Sequence, residues 1–133
     1  MRKKIKLKMK FRYARHTDNL ALLVEFYTKV LGLKVIGEFE NHSEYNGVFL
    51  GYKDFDWHIE FTESNEPANH KPDKDDLMVF YIDSKEDLMS IKQKAKDLGY
   101  LIVKPKNPYW QRNGIGILDP DGFGIILTVE PGK

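Results

Sequence analysis

Cysteine is absent from this chain of 133 residues, so neither a disulfide framework nor thiolate chemistry is open to it, which accords with a reducing compartment. A dominant sign of charge is lacking too. The 21 Lys and Arg nearly cancel the 20 Asp and Glu, leaving +1, a balance that supplies no general attraction to nucleic acid or to an anionic membrane. No apolar run nears the roughly 20 residues of a membrane helix. The basic start Met1-Arg2-Lys3-Lys4 is not followed by the continuous apolar stretch of a secretory signal, because Ile5, Leu7, Met9 and Phe11 alternate with Lys6, Lys8 and Lys10. A cytoplasmic protein is expected, with neither nucleic acid nor membrane as partner. The chain also lacks a phosphate-cradling Gly-rich loop and a Ser-His-Asp signature, and Ser43 and Ser64 stand in polar segments without an evident base.

What is present is an ordinary globular composition, 41% hydrophobic and 31% charged, in a length that suits one domain burying about two-thirds of its unfolded surface. From Ile5 to Tyr13 the odd residues are apolar and nearly all even ones basic, the period of a half-buried strand. Asp18 and Asn19 can open a helix whose apolar stripe is Leu23, Phe26, Tyr27, Val30 and Leu31, closed by Gly32. Strands are expected at Lys34 to Phe39, Gly47 to Tyr52 and Trp57 to Thr62, and residues 63–76, acidic and carrying Pro67 and Pro72, read as a linker.

The pattern then restarts. Leu77 to Ile82 reads as a strand, and Ser84 can cap a second helix with Leu88, Ile91, Ala95 and Leu98 on one face and Gly99 at its end. Strands follow at Tyr100 to Val103, Gly114 to Leu118 and Gly124 to Val129, the last two joined by Asp119-Pro120-Asp121-Gly122, which suits a type I turn. The chain thus reads βαβββ twice, with module 1 over about residues 5–62 and module 2 over about 77–130. The Leu-Gly pairs at 31–32 and 98–99 mark matching helix ends. A ferredoxin-like α+β domain is the alternative architecture.

Three segments belong together in this order: Phe26-Tyr27-Thr28-Lys29-Val30-Leu31-Gly32-Leu33-Lys34-Val35, Trp57-His58-Ile59-Glu60-Phe61, and Asp119-Pro120-Asp121-Gly122. In them the chain resembles the vicinal oxygen chelate superfamily, which includes glyoxalase I, bleomycin-resistance and fosfomycin-resistance proteins and extradiol dioxygenases. The resemblance runs from about Phe11 to Val129. It implies an α+β fold of two tandem βαβββ modules, whose mixed sheets form a cup around a cleft with the helices outside. It also implies four metal-ligand positions, which fall here on Arg12, Glu60, Leu77 and Ile126. Arginine stays protonated and has no lone pair to give, and Leu and Ile offer none either. Glu60 alone does not hold a metal, since a catalytic zinc takes about three protein ligands. No cofactor is therefore expected. A relocated divalent metal, drawing on His58, Glu60 and His16, is the alternative.

Both Arg12 and Glu60 point into the cleft in relatives, and strand parity agrees. Phe11 and Tyr13 flank Arg12, while Trp57, Ile59 and Phe61 interleave with His58 and Glu60, so the apolar set should face the helices. A carboxylate in a partly enclosed cleft calls for a counter-charge, and an Arg12–Glu60 ion pair is expected in the space of the family's cation. The loop from Lys104 to Gly114 carries Tyr109, Trp110 and Arg112, which the resemblance places at the cleft mouth, where aromatics stack on a flat ligand and Arg112 meets an anionic group. Tyr81 shares parity with Leu77 and Val79, directing its hydroxyl to the cleft.

The reading is a small-molecule binding protein of the bleomycin-resistance kind. It would sequester an apolar or aromatic compound through Arg12, His58, Glu60, Tyr81, Tyr109, Trp110 and Arg112, and the resemblance implies a homodimer. Two alternatives stand beside it. One is a glyoxalase-like lyase, isomerase or dioxygenase, metal-free or with a relocated metal, using Glu60, His58 or Tyr81 for proton transfer. The other is a regulatory or interaction module.

Overall fold

The computed structural model describes residues 6–129. The elements in chain order are β1 (Phe11–His16), α1 (Leu20–Lys29), β2 (Lys34–His42), β3 (Tyr45–Gly51), β4 (Trp57–Glu63), β5 (Leu77–Ile82), α2 (Lys85–Asp97), β6 (Ile102–Val103), α3 (Pro108–Asn113), β7 (Ile115–Leu118) and β8 (Gly124–Val129). They build two four-stranded mixed sheets of the same topology, β1-β4-β3-β2 and β5-β8-β7-β6. In each, the first strand runs parallel to the last and the other pairs are antiparallel. The βαβββ unit therefore occurs twice, as the sequence pattern predicts.

Local chemistry explains the helix limits. Asn19 caps α1 by accepting the Leu22 N–H, and Ser84 caps α2 by accepting the Asp87 N–H. Both helices end on glycines with positive φ, +72° at Gly32 and +86° at Gly99, where the chain reverses direction in the left-handed region.

The first strand departs from expectation. Alternation predicts a strand over Ile5 to Tyr13, but β1 covers Phe11–His16, and Ile5 lies outside the described residues. Strand needs a neighbour. The partner β4 begins at Trp57 opposite Phe11 and continues to Thr62 opposite His16, so residues 6–10 run beyond the sheet while Arg15 and His16 fall within it. The segment expected as a loop, 104–114, contains the short helix α3, started by the Asn107 cap and by Pro108 in its first turn.

One core serves both modules. Leu23, Phe26, Tyr27, Leu50, Ile59 and Phe61 of the first join Leu88, Ala95, Ile117, Ile125 and Leu127 of the second. Phe26 meets Tyr100 edge to face at 4.8 Å, and Trp57 lies 6.0 Å from Phe80. The helix-bearing faces of the two sheets thus share an interior. The even-numbered residues of β1 and β4, and their counterparts in module 2, occupy the opposite faces. No helix among the described residues is long and apolar enough to cross a membrane.

Candidate functional site

On the open face of the first sheet, β1 and β4 run parallel with Arg12 directly beside His58. The Arg12 Nε–H donates to His58 Nε2 at 2.9 Å, and Arg12 Nη1 lies 3.4 Å from Glu60 Oε1. The ion pair expected from the sequence is therefore present. It is uneven: the Arg12 side chain is 50% exposed and that of Glu60 13%. Phe49, adjacent on β3, supports the group, its ring centroid 4.7 Å from the Arg12 guanidinium carbon and 5.7 Å from the His58 ring. Because arginine is always a donor, His58 Nε2 must be an acceptor, which puts the imidazole proton on Nδ1 and leaves the ring neutral. Parity in the strand Gly47 to Tyr52 was the available signal for Phe49, which sequence reasoning missed.

These residues do not fit the divalent ion that the resemblance implies. Arg12, Leu77 and Ile126 carry no donor atom, and the one carboxylate, Glu60, already faces a fixed cation. Among the described residues no three of His, Cys, Asp and Glu gather as metal ligands. His16 is engaged elsewhere, its Nδ1 2.8 Å from Thr62 Oγ1 and its Nε2 3.1 Å from the Glu66 carbonyl.

The aromatic candidates belong to the other module. Tyr109 and Trp110 touch edge to face at 4.8 Å on α3, and Arg112 is exposed in its last turn. Helix α3 covers the open face of the second sheet: Thr128 Oγ1 donates to the Asn113 carbonyl at 2.5 Å. A Cβ on Gly114 would sit 2.7 Å from Ile126 Cγ2 and 3.3 Å from the Trp110 ring. Ile126, 1% exposed, is thus a floor residue beneath α3. Six of the seven predicted site residues fall into two groups, Arg12–His58–Glu60 on one sheet and Tyr109–Trp110–Arg112 on the other, while Tyr81 stands apart on β5.

An apolar groove of about 840 Å³ opens along β1 and β5, lined by residues including Tyr13, Trp57, His58, Met78, Phe80 and Tyr81. Tyr81 is 59% exposed and Phe11, also lining it, 64%. Arg12, Glu60, Tyr109, Trp110 and Arg112 are not part of this lining.

Sequence reasoning also missed a buried polar cluster joining the modules. Arg15, 6% exposed, projects from β1 so that Nη2 meets Asp119 Oδ2 at 2.8 Å and Nη1 meets Asp121 Oδ2 at 3.4 Å. The Tyr27 hydroxyl donates to the same Asp119 oxygen at 2.7 Å, and Thr17 donates to Asp121 Oδ1 at 3.1 Å. Asp119 Oδ1 accepts the backbone N–H groups of Asp121 and Phe123, fixing the turn. Arg15 Nε is buried without a hydrogen-bond partner, but the guanidinium lies 3.9 Å from the Phe123 centroid and 5.2 Å from that of Phe61, a stacking that offsets part of the loss. Burial and the Asp119 charge push the Tyr27 hydroxyl well above its ordinary pKa. Burial, with a smaller contribution from Asp119, raises the Asp121 carboxyl. His70, from the linker, reaches the His16 carbonyl with Nε2 at 2.7 Å and places Nδ1 3.9 Å from Asp121. The signal was parity: Arg15 continues Phe11 and Tyr13 onto the helix-facing side, and a cation there needs a buried acid.

Paired βαβββ modules with this strand order define the glyoxalase and antibiotic-resistance type of vicinal oxygen chelate fold. Glyoxalase I of Leishmania major superposes with a TM-score of 0.74 at 20% identity, covering 93% of this chain and 88% of that one. The fosfomycin resistance protein FosX of Mesorhizobium loti gives 0.67 at 15%, covering 96% and 93%. At such identities the likeness concerns the fold alone. Residues 11–62 match the YycE-like N-terminal domain and residues 75–129 the YycE-like C-terminal domain. The Bacillus subtilis protein YycE is 41% identical over 125 residues, 91% of this chain and 88% of its own. Its 2.0 Å crystal structure superposes with a TM-score of 0.85 at 40% identity, covering 93% and 91%. The chain belongs to the YycE-like family within that superfamily.

Proposed function

We propose that this protein binds a small apolar or aromatic molecule without a metal, using the fold in the manner of the resistance proteins that sequester their ligands. The observation that carries the reading is the Arg12 guanidinium held by Glu60, His58 and Phe49 on the open face. It is a fixed organic cation where the resemblance implies a metal position, with half of its side chain still open to a ligand. A carbonyl, hydroxyl or anionic group of the ligand would meet the exposed guanidinium edge while its apolar body lies along Phe49. Glu60, His58 and Arg12 together carry no net charge, which favours a predominantly apolar partner.

Proton transfer through His58 is disfavoured by the same geometry, because its Nε2 lone pair is committed to Arg12. The protein would act as a homodimer in the cytoplasm. Support for the dimer comes from the exposed apolar rim of the groove, Phe11, Phe55 and Tyr81, a feature that marks interaction surfaces. Native mass spectrometry of protein taken directly from cells, followed by a thermal-shift screen of aromatic metabolites and antibiotics, tests the reading. A bound small molecule or a saturable rise in melting temperature supports it, and catalytic turnover of such a compound replaces it with the enzyme.

A further inference from the structure

Two glycines stand inside β2 and β3, where a strand loses by them, since glycine gives up the most backbone freedom and leaves no side chain to pack. Each faces a phenylalanine of the neighbouring strand: Gly37 pairs with Phe49, and Gly47 with Phe39. The rings take the room that a side chain would need. A Cβ on Gly37 would lie 3.0 Å from Phe49 Cδ2, and one on Gly47 would collide with the edge of the Phe39 ring. Both phenylalanines lean across the opposite backbone on the open face, half-buried, with centroids 5.9 Å apart and planes at 49°.

Filling space above a glycine is one use of such a pair. Arg12 gives this apolar strip a polar end as well. Its Nε–H and Nη1 are taken by His58 and Glu60, while Nη2 has no hydrogen bond among the described residues. The guanidinium carbon lies 4.7 Å from the Phe49 centroid, and Phe39 stands one strand further from β1. We propose that Phe39 and Phe49 are a stacking shelf that selects a rigid, flat ligand of fused rings, with a carbonyl oxygen at one end for Arg12 Nη2. Phe39 is the residue that sets ligand size, and the assignment rests on the open-face reading above. A single ring held by Arg12 reaches Phe49, whereas a second, fused ring continues over Phe39 at ordinary aromatic separations. A flexible aliphatic chain covering the same strip loses rotamer freedom that a fused system never had.

NMR titration of the wild-type chain, Phe39→Leu and Arg12→Gln with naphthamide and benzamide is the test, because these probes share one amide and differ by a fused ring. Wild type should bind naphthamide about tenfold tighter, the scale of one added aromatic contact. Leucine keeps the apolar volume and removes the ring, so Phe39→Leu should reduce the preference to less than about threefold. A preference of wild-type size in Phe39→Leu, or none in wild type, would overturn the shelf. With binding still lost in Arg12→Gln, either result would leave the open-face reading standing. Failure of wild type to bind either probe, or equal binding by Arg12→Gln, would overturn both. Magnetisation transfer from naphthamide protons to the Phe39 ring of wild type gives a readout independent of variant folding. Its presence supports the shelf, and its absence at saturation overturns it.

Discussion

Arg15 on the first strand and Asp119 in the last turn meet at 2.8 Å, with side-chain exposures of 5% and 0%, so a buried ion pair fastens one βαβββ unit to the other. Removing one member of such a pair leaves the other charged and unsolvated. Arg15→Met is expected to lower unfolding stability by about 3–5 kcal/mol, measured by urea denaturation. A loss below about 1 kcal/mol, typical of solvated surface pairs, would mean that Asp119 is satisfied without the guanidinium.

The Tyr27 hydroxyl donates to Asp119 and is itself pushed well above its ordinary value of 10.0. A group whose folded pKa lies above its unfolded one contributes fully below the unfolded value, and the contribution is lost as pH rises through the folded value. Stability should therefore fall on going from about pH 9 to 11, and Tyr27→Phe should flatten that part of the fall. At neutral pH the substitution should cost about 1–3 kcal/mol, because Asp119 loses a buried donor. Urea unfolding at both pH values reads each effect.

Asp121 gives the opposite end of the scale. Burial raises its carboxyl above the ordinary value of 3.8, so its contribution to stability is complete below that pH and declines as pH rises through the folded pKa. Replacing it with Asn should remove this decline, making unfolding free energy less dependent on pH as it rises above the ordinary value of 3.8. A parallel pH profile in the variant would show that the carboxyl titrates normally.

Gly114 and Gly99 separate close packing from backbone conformation. Gly114→Ala forces a Cβ against Ile126 and Trp110, so α3 should lift from the sheet at a cost of about 1–3 kcal/mol with a change in Trp110 fluorescence. At Gly99 the space is open and only the φ of +86° resists a side chain, which predicts about 1–2 kcal/mol for Gly99→Ala. Unchanged emission from Gly114→Ala would mean that α3 accommodates the methyl in place.

Much of this was legible in the sequence because it depends on local periodicity. Apolar spacing and the Leu-Gly stops locate α1 and α2, and strand parity places Arg12, His58 and Glu60 on one face. Parity could not say where β1 begins, since that depends on β4 starting at Trp57, a distant partner. Nor could it pair Arg15 with Asp119, which only the packing of the two modules brings together. Residues 108–113 carried a loop-like composition, yet Asn107 and Pro108 supply a cap and first turn sufficient for a short helix once it can rest on Ile126.

The Arg12 pair should matter for binding more than for folding. With half of the arginine exposed, its loss should cost no more than about 1 kcal/mol of stability. Arg12→Gln should melt within a few degrees of wild type while losing the ligand-dependent shift. An unaltered shift would place the ligand elsewhere.

Elemental analysis of protein purified without chelator, with and without prior exposure to zinc, nickel and manganese, tests the central claim most directly. With the Arg12 cation seated against Glu60, metal content should stay far below one ion per chain. One tightly held ion per chain, lost on Glu60→Gln, would contradict it.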